Sequence, residues 1–428
     1  MKSSWKLTQP KSLCSSTNTS IKRGRPTQWD VSKGGDDKIN SRSFSVYVPP
    51  NFCANSAQQQ DVPLRIILAI HGYGGKPAQE IRKWQGVADD LNSIIIAPMG
   101  TRSITDQKLG WNAVECCGDP VLNEIDDLDF VLNGVMEVFL NQLDDINSSS
   151  YKTISRMKKD KRVHVIATGF SNGGFFTSLL GITDDRPKWL VGIIPTGGYQ
   201  YDINAYSNTP ELAIFMHHGG KDSVVNPNGC CISNEPKQRK KGSKTNCMFD
   251  IGVKQDTCQS VQSVFHLWSR INGCSPDQYN DRNLKEGVIS SESGCFMGKD
   301  CIEPTSLCIW TNEGHSWGGT FPGIEMVQPW MEDVFVRAEK KQLDHEDAPV
   351  SRPNQRVRVG KSVFLILLGF IALRVAYLFI KRRNLNKRSS KRKNSEDWHT
   401  LKEVFKEEEM TVLPGSVNEH MKIPRSVV

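Results

Sequence analysis

The stretch that decides the fold is Val163-His164-Val165-Ile166-Ala167, followed after one residue by Gly169-Phe170-Ser171-Asn172-Gly173-Gly174. The first part is a largely apolar run of strand length. The second part sets a serine in the pattern G-x-S-x-G, which is typical of a sharp turn from a strand into a helix. Glycines let the backbone pack closely at such a turn. The positive end of the following helix favours negative charge beside Ser171, so this serine is a candidate nucleophile.

Similar apolar runs occur on both sides of this turn, and segments with helical spacing lie between them. Buried strands that alternate with helices predict βαβ units. We therefore expect an α/β fold in which a mostly parallel sheet carries helices on both faces. The predicted strands are Phe44–Val48, Leu64–Ile70, Ile94–Ala97, Val163–Ala167, Leu190–Ile194, Leu212–Met216 and Ser306–Thr311, and the predicted helical segments include Ile125–Leu143 and Gly173–Leu180.

Two further loops carry the partners that a serine nucleophile needs. Asp222 ends the loop His217-His218-Gly219-Gly220-Lys221-Asp222, directly after one predicted strand, and His315 lies in Gly314-His315-Ser316-Trp317 after another. Active-site residues of α/β sheets gather at the carboxyl ends of strands. The chain order Ser, Asp, His is that of a serine hydrolase triad. We predict that His315 accepts the proton of Ser171 and that Asp222 fixes the imidazole tautomer.

A glycine-rich loop, His71-Gly72-Tyr73-Gly74-Gly75, follows the strand Leu64–Ile70. Such a loop can supply one backbone N–H of an oxyanion hole, and the residue after the nucleophile supplies the other. The predicted donors are therefore Tyr73 and Asn172. An ordinary strand-to-helix turn would need the same glycines. His71 comes too early in the chain to be the base, and we interpret it as structural.

Two tryptophans lie next to these motifs in the sequence. Aromatic rings beside such a site can stack on a phenolic or sugar ring of a substrate, which makes Trp111 and Trp317 candidate substrate-binding residues. Packing in the core would use the same residues, and the sequence favours neither alternative.

With these motifs in place, the chain resembles the feruloyl esterase and poly(3-hydroxybutyrate) depolymerase group of the α/β-hydrolase superfamily. The resemblance covers roughly residues 42–335. It implies a serine esterase that needs no cofactor and that hydrolyses esters attached to, or within, polymers. The Cys-rich segment 223–305 and the C-terminal apolar run depart from that group. Besides the loops above, the matching segments are Ala97-Pro98-Met99-Gly100, Gly110-Trp111-Asn112 with Cys116-Cys117-Gly118, and Asp126-Asp127-Leu128-Asp129-Phe130.

Charge and cysteines exclude other classes of protein. The net charge is +7, but residues from Lys381 onward hold 12 Lys and Arg against 7 Asp and Glu, so the rest is almost neutral. A neutral body argues against nucleic-acid binding. Eight of the 12 cysteines fall between Cys230 and Cys308, without a CxxC pair. We expect disulfides in an oxidising compartment and no metal site.

The predicted organisation has five parts. Residues 1–41 are a polar extension, 42–340 the catalytic domain with a Cys-rich insertion at 223–305, and 341–361 a charged linker. Residues 362–380 are an apolar run interrupted by Arg374, which predicts a single transmembrane helix. Residues 381–428 are a basic tail. The insertion lies between the predicted triad Asp and His, where a disulfide-linked cover over the site is one hypothesis.

Membrane topology follows from the charges on either side of the apolar run. Eight Lys and Arg occur in the 13 residues after Ile380, against four in Arg352–Lys361. The positive-inside rule then predicts a cytoplasmic tail and an extracellular or lumenal catalytic domain. The first 40 residues contain no apolar signal-peptide core, so this topology supposes a longer natural N-terminus. A cytosolic domain with a C-terminal anchor is the alternative.

The residues favour a serine carboxyl-ester hydrolase that acts through an acyl-enzyme. A catalytically silent α/β-hydrolase domain used as a membrane-bound binding module is the alternative from another class, and a peptidase or thioesterase on the same fold is a third.

Overall fold

A computed structural model describes most of the predicted catalytic domain. The described residues are 5–8, 24–34, 41–52, 63–114, 116–142, 163–229, 259–275, 295–316 and 323–347.

A ten-stranded sheet organises the described part of the chain. Its order is β1-β2-β3-β5-β4-β8-β9-β10-β12-β11, and the block from β5 to β12 is parallel throughout. The predicted α/β class with a mostly parallel sheet is therefore confirmed. The strands are β1 Trp5–Leu7, β2 Thr27–Lys33, β3 Ser41–Tyr47, β4 Leu64–Ile70, β5 Ile94–Pro98, β6 Thr101–Arg102, β7 Leu109–Gly110, β8 Val163–Phe170, β9 Leu190–Thr196, β10 Ala213–Gly219, β11 Cys295–Met297 and β12 Thr305–Trp310, of which β6 and β7 form a separate pair.

Helices cover both faces of this sheet because successive strand residues point to opposite sides. Ile66 and Leu68 of β4 face one apolar cluster, whereas Ile67 and Ala69 face another. The second cluster is completed by α1 and α7, and the first by the other long helices. The helices are α1 Pro77–Asp90, α2 Asp119–Leu122, α3 Asp127–Asp129, a π-helical segment Phe130–Glu137, α4 Val138–Gln142, α5 Asn172–Ile182, a 3₁₀ turn Ile203–Tyr206, α6 Val261–Ile271 and α7 Gly323–Asp347.

The first 41 residues are more than a polar extension, and the sequence prediction is wrong on this point. Strands β1 and β2 add to the sheet beyond β3, all in antiparallel pairs. Trp29 and Val31 are fully buried, while Asp30 between them is exposed. A strand of an antiparallel pair with one face in water needs only this short alternation, which polar neighbours conceal.

The segment 223–305 also differs from the prediction, because it contains a regular element. Helix α6 lies between β10 and β12, which pair in parallel, and a parallel pair requires such a crossover. Its apolar face, formed by Val261, Val264, Phe265 and Trp268, is buried. Two disulfides, Cys274–Cys301 and Cys295–Cys308, link the end of α6 and strand β11 to the residues around β12. Residues 230–258 and 276–294 lie outside the described residues. The predicted cover, residues 223–305, is therefore described only in part and stays a prediction.

At the carboxyl end, α7 continues to Asp347, so the first residues of the predicted linker 341–361 are helical. The predicted transmembrane helix 362–380 and the basic tail 381–428 lie outside the described residues. Within the part of the chain that the structure describes, every helix is too short or too polar to cross a membrane.

Candidate active site

Ser171 occupies a sharp turn between β8 and α5. Its backbone has φ 57° and ψ −123°, a left-handed conformation that a non-glycine residue adopts only under strain. Close packing against neighbouring backbone enforces the turn. A Cβ atom at Gly173, for example, would approach the carbonyl oxygen of His71 to 2.6 Å. The Ser171 N–H donates to Thr196 O at 2.8 Å and its carbonyl accepts from Phe175 N at 3.0 Å, so the turn is fixed on both sides.

Three side chains from three strand ends meet at this turn. The Nε2 atom of His315 lies 2.9 Å from Ser171 Oγ, and its Nδ1 atom lies 2.7 Å from Asp222 Oδ2. Ser171 follows β8, Asp222 follows β10 and His315 follows β12. With Nδ1–H donated to the carboxylate, Nε2 is left to accept the serine proton. The structure thus brings the three predicted residues into one hydrogen-bonded chain.

The Asp222 carboxylate is held from two sides. Its Oδ1 atom accepts from the N–H groups of Val224 and Val225, both at 2.8 Å. Its Oδ2 atom faces His315, and His218 Nε2 lies 3.5 Å away. Burial is the largest influence and raises the pKa of this carboxyl. The hydrogen bond and charge of His315, with smaller contributions from His218 and Val225, outweigh it, and the pKa is lowered. Asp222 is therefore an anion at neutral pH.

His218 supports this arrangement, and the sequence did not single it out. The ring is buried, and its Nε2 donates to the carbonyl oxygen of Val225 at 2.9 Å. Burial lowers the pKa of His218, which keeps the ring neutral beside the carboxylate. The only available signal in the sequence was its position at the end of an otherwise apolar strand, two residues before Gly220.

The glycine-rich loop after β4 lies directly against the serine. A Cβ atom at Gly72 would come within 3.4 Å of the Ser171 Cβ and within 2.9 Å of Phe170 O. Tyr73 is the next residue, and Asn172 is the first residue of α5, where a backbone N–H has no acceptor within its own helix. Both predicted donors therefore lie in segments that adjoin Ser171.

His71 is structural in geometry as well as in sequence order. It is fully buried, and its Nε2 accepts the N–H of Gly100 at 2.9 Å. This contact leaves the proton on Nδ1, which donates to Gly72 O at 2.8 Å. Burial lowers the pKa of His71 to about 4, so the ring is neutral at physiological pH.

Trp111 is placed away from solvent. The residue is 0% exposed, and its ring packs on Phe176 at 5.2 Å and on His71 at 5.0 Å between centroids. Its indole N–H donates to His71 O at 2.8 Å. A ring with no exposed surface offers no face for stacking, so the predicted substrate contact of Trp111 disagrees with its burial. Trp317 lies outside the described residues.

An ion pair beside the Trp111 ring fixes the start of the helical segment α3. Arg42 Nη1 lies 2.6 Å from Asp127 Oδ1, and the other oxygen of Asp127 accepts the N–H of Asn112 at 2.7 Å. Burial raises the pKa of Asp127 despite the neighbouring guanidinium. It also lowers the pKa of Arg42. The Asp-Asp-Leu-Asp segment seen in the sequence is therefore a structural anchor for the loop that contains Trp111.

Comparison with protein-family models gives no match, and no curated protein matches the sequence. Solved structures similar to this chain include three esterases. An acetyl xylan esterase from Aspergillus awamori has 14% identity over 72% of this chain and 99% of that one, with a TM-score of 0.37. An S-formylglutathione hydrolase from Agrobacterium tumefaciens has 10% identity over 74% and 96%, with a TM-score of 0.35. A feruloyl esterase module from Clostridium thermocellum, complexed with sinapinate, has 12% identity over 73% and 87%, with a TM-score of 0.34.

All three TM-scores lie below 0.5. The assignment to the α/β-hydrolase fold therefore rests on the order of the sheet and on the turn at Ser171, with Asp222 and His315 in the loops that follow later strands.

Proposed function

We propose that the protein is a serine carboxyl-ester hydrolase in which Ser171 is the nucleophile, His315 the general base and Asp222 the residue that orients it. The observation that carries this proposal is the continuous chain from Ser171 Oγ through His315 to Asp222, with contacts of 2.9 and 2.7 Å. A hydroxyl in this arrangement is activated by proton transfer to the imidazole as it attacks a carbonyl carbon.

In the acylation step, the Ser171 proton passes to His315 Nε2 as the Oγ–C bond forms. The N–H groups of Tyr73 and Asn172 stabilise the negative charge on the former carbonyl oxygen. The imidazolium then gives its proton to the departing alcohol. Water attacks the acyl-enzyme by the same route, and the acid is released.

Replacement of Ser171 by Ala tests this proposal. Hydrolysis of a panel of p-nitrophenyl and methyl hydroxycinnamate esters should fall by at least about 10³-fold, because the members of such a triad act as a unit. The His315→Ala variant should lose a similar factor. A Ser171→Ala variant that kept most of the wild-type activity would refute the mechanism.

The finer proposal is that the ester belongs to a polymer, and a cavity of about 540 Å³ supports it. The register of the sheet puts this cavity on the same edge as Ser171. Leu68 of β4 pairs with Ile96 of β5 and with Ala167 of β8, so the residues after β5 and after β8 emerge at the same edge. Phe44 of β3 pairs with Pro98 of β5, which brings the start of β3 to that edge as well. Two strand spacings separate β5 from β8, which places the cavity roughly 10 to 15 Å from the serine. Its lining includes Trp5, Lys33, Ser41, Ser43, Thr101 and Asp126.

The chemistry of the cavity suits a neutral, hydroxyl-rich chain. Two of its three cations are ion-paired, Lys33 with Asp129 at 2.7 Å and Arg42 with Asp127 at 2.6 Å. The other charged residues of the lining are Arg102, Asp30 and Asp126, so positive and negative groups nearly balance. The hydroxyls of Ser41, Ser43 and Thr101 and the indole ring of Trp5 lie among these charges, and the lining has no large excess of either sign. Such a surface binds sugar-like units better than a charged ligand.

A tryptophan at Ser41 tests the cavity's role. Ser41→Trp should raise KM for a polymer-linked ester and leave the hydrolysis of p-nitrophenyl acetate unchanged. Gln28→Trp, an exposed position toward the opposite end of neighbouring β2, is the matched control. Equal KM values for the polymeric ester in the two variants would contradict the finer proposal.

The proposed location is a membrane surface, with residues 362–380 as a single span and the catalytic domain on the extracellular or lumenal side. The disulfides Cys274–Cys301 and Cys295–Cys308 support an oxidising compartment. Protease protection on sealed membranes tests it. Digestion of the catalytic domain from the cytosolic side would contradict this topology.

A further inference from the structure

The side chain of Asn172 makes contacts that the proposed reaction does not use directly. It is 0% exposed. Its Oδ1 accepts the N–H of Trp111 at 2.8 Å, and its Nδ2 donates to the carbonyl oxygens of Trp111 at 3.0 Å and Cys116 at 3.1 Å. One acceptor and two donors are what an amide offers here. The amide therefore pairs with the backbone of the segment 110–118 as a neighbouring strand would.

The same segment also contacts the loop that contains Tyr73. A Cβ atom at Gly110 would come within 2.7 Å of Tyr73 Cδ2, and one at Gly118 within 2.5 Å of its hydroxyl oxygen. The Trp111 indole N–H, at 2.8 Å from His71 O, joins the two segments again. Both proposed oxyanion donors are thus held by one piece of chain. That piece of chain is the segment 110–118. The side chain of Asn172 binds it, and the backbone N–H of the same Asn172 is one of the two proposed donors.

We infer that Asn172 is a positioning residue for the oxyanion hole. By pairing with Trp111 and Cys116, its side chain sets the distance between its own N–H and that of Tyr73. The inference rests on the proposed function, because only an oxyanion gives that distance a consequence. A displacement of about 1 Å in such a group can lower a rate by about 10²-fold. Removal of one oxyanion donor costs about 10²- to 10³-fold in kcat.

The chain offers a matched control in Gln200. This amide is also buried, and its Nε2 donates to the carbonyl oxygens of Ala113 and Phe175, each at 3.0 Å. It therefore connects the same segment to the same helix α5, but its two hydrogen bonds go to Ala113 and Phe175 and not to residue 172 or the Tyr73 loop. A purely structural role would make the two amides equivalent.

The test compares Asn172→Ala and Asn172→Asp with Gln200→Ala. In the aspartate variant one oxygen still accepts from Trp111 N, but the other faces two carbonyl oxygens that had a donor. Both Asn172 variants should lower kcat for p-nitrophenyl acetate by about 10- to 100-fold, a smaller loss than that of a deleted donor, with KM little changed. Inhibition by a trifluoromethyl ketone, which forms the tetrahedral adduct, should weaken in parallel. Gln200→Ala should lower the denaturation midpoint by a similar amount while kcat stays within about threefold of wild type.

A second variant keeps the test decisive if the Asn172 variants fold poorly. Trp111→Phe removes the indole N–H donated to His71 O, together with part of the buried ring, and should also lower kcat without a matching rise in KM. Wild-type kcat in both Trp111→Phe and the Asn172 variants, or equal losses in Asn172→Ala and Gln200→Ala, would overturn the inference. A wild-type protein without esterase activity would instead overturn the proposed function itself.

Discussion

Replacement of Asp222 by Asn should abolish most of the activity while leaving the geometry of the site almost intact. In the wild type, the N–H groups of Val224 and Val225 each lie 2.8 Å from Oδ1 of the carboxylate. The Oδ1 of the asparagine can still accept from both. The amide nitrogen then takes the place of Oδ2, which is 2.7 Å from His315 Nδ1. Two N–H groups cannot face each other at that distance. The imidazole must therefore carry its proton on Nε2, where it can no longer accept the proton of Ser171.

The expected loss is about 10⁴-fold in kcat, the cost of the wrong histidine tautomer in triads of this type. It corresponds to about 5.5 kcal/mol of transition-state stabilisation. Hydrolysis of p-nitrophenyl acetate by purified wild type and variant measures it, with circular dichroism as the check on folding. Asp333→Asn, which changes an exposed carboxylate paired with Arg337, is the control. An Asp222→Asn variant with more than a tenth of the wild-type kcat would refute the assignment.

The same variant has a signature in stability. The pKa of Asp222 is lowered in the fold, below the roughly 3.9 of an unfolded aspartate. The ionised carboxylate therefore stabilises the folded state above about pH 4, and this contribution is lost as pH falls through the folded pKa. The excess free energy of unfolding of wild type over Asp222→Asn should shrink on acidification. Urea denaturation across this pH range measures it, and a difference that grew toward low pH would contradict the lowered pKa.

Three further predictions concern the scaffold. Trp29→Ala should lower the free energy of unfolding by about 3 to 5 kcal/mol, because it empties a fully buried site in β2. The control Gln28→Ala should change this free energy by less than about 0.5 kcal/mol in the same urea titration. Arg42→Met should lower the free energy of unfolding by about 3 to 5 kcal/mol, since it leaves the buried Asp127 without its cation. Adding Asp127→Asn should recover part of that loss. A double variant that is no more stable than Arg42→Met would contradict this prediction. Replacing Cys295 and Cys308 together by Ala should lower the free energy of unfolding by about 3 kcal/mol, because the unfolded chain gains the entropy of opening a 13-residue loop. A reductant should then shift the denaturation midpoint of that variant less than that of the wild type.

The parallel core could be predicted from the sequence because its signals are local. Strand β4 was predicted with its observed bounds, Leu64–Ile70, since a strand buried on both faces is a continuous apolar run. The three residues of the site could be predicted for a related reason. Each lies just past a strand, and glycine-rich loops mark those positions.

The missed features depend on partners far away in the chain. The amides of Asn172 and Gln200 bind backbone groups 61 and 87 residues distant, and backbone acceptors leave no trace in a sequence. Helix α6 shows a helical pattern at Val261, Val264, Phe265 and Trp268. It was overlooked because the surrounding residues are polar and rich in cysteine, which lowered the apolar average of the whole segment.

The order of the sheet poses a problem that local packing resolves. Ser171 and His315 follow β8 and β12, which have β9 and β10 between them, so about 14 Å separates the strand ends at ordinary spacing. The loop after β12 must therefore reach back across the end of β9, and Gly197 lies at that crossing. Its φ is +55°, and a Cβ there would come within 3.0 Å of the Phe170 ring and 3.7 Å of His315 Cε1. A side chain at this position would crowd the Phe170 ring, on which the His315 ring packs at 4.8 Å between centroids. That contact supports the imidazole, whose Nε2 lies 2.9 Å from Ser171 Oγ, so the geometry of the proposed triad depends on a glycine outside it.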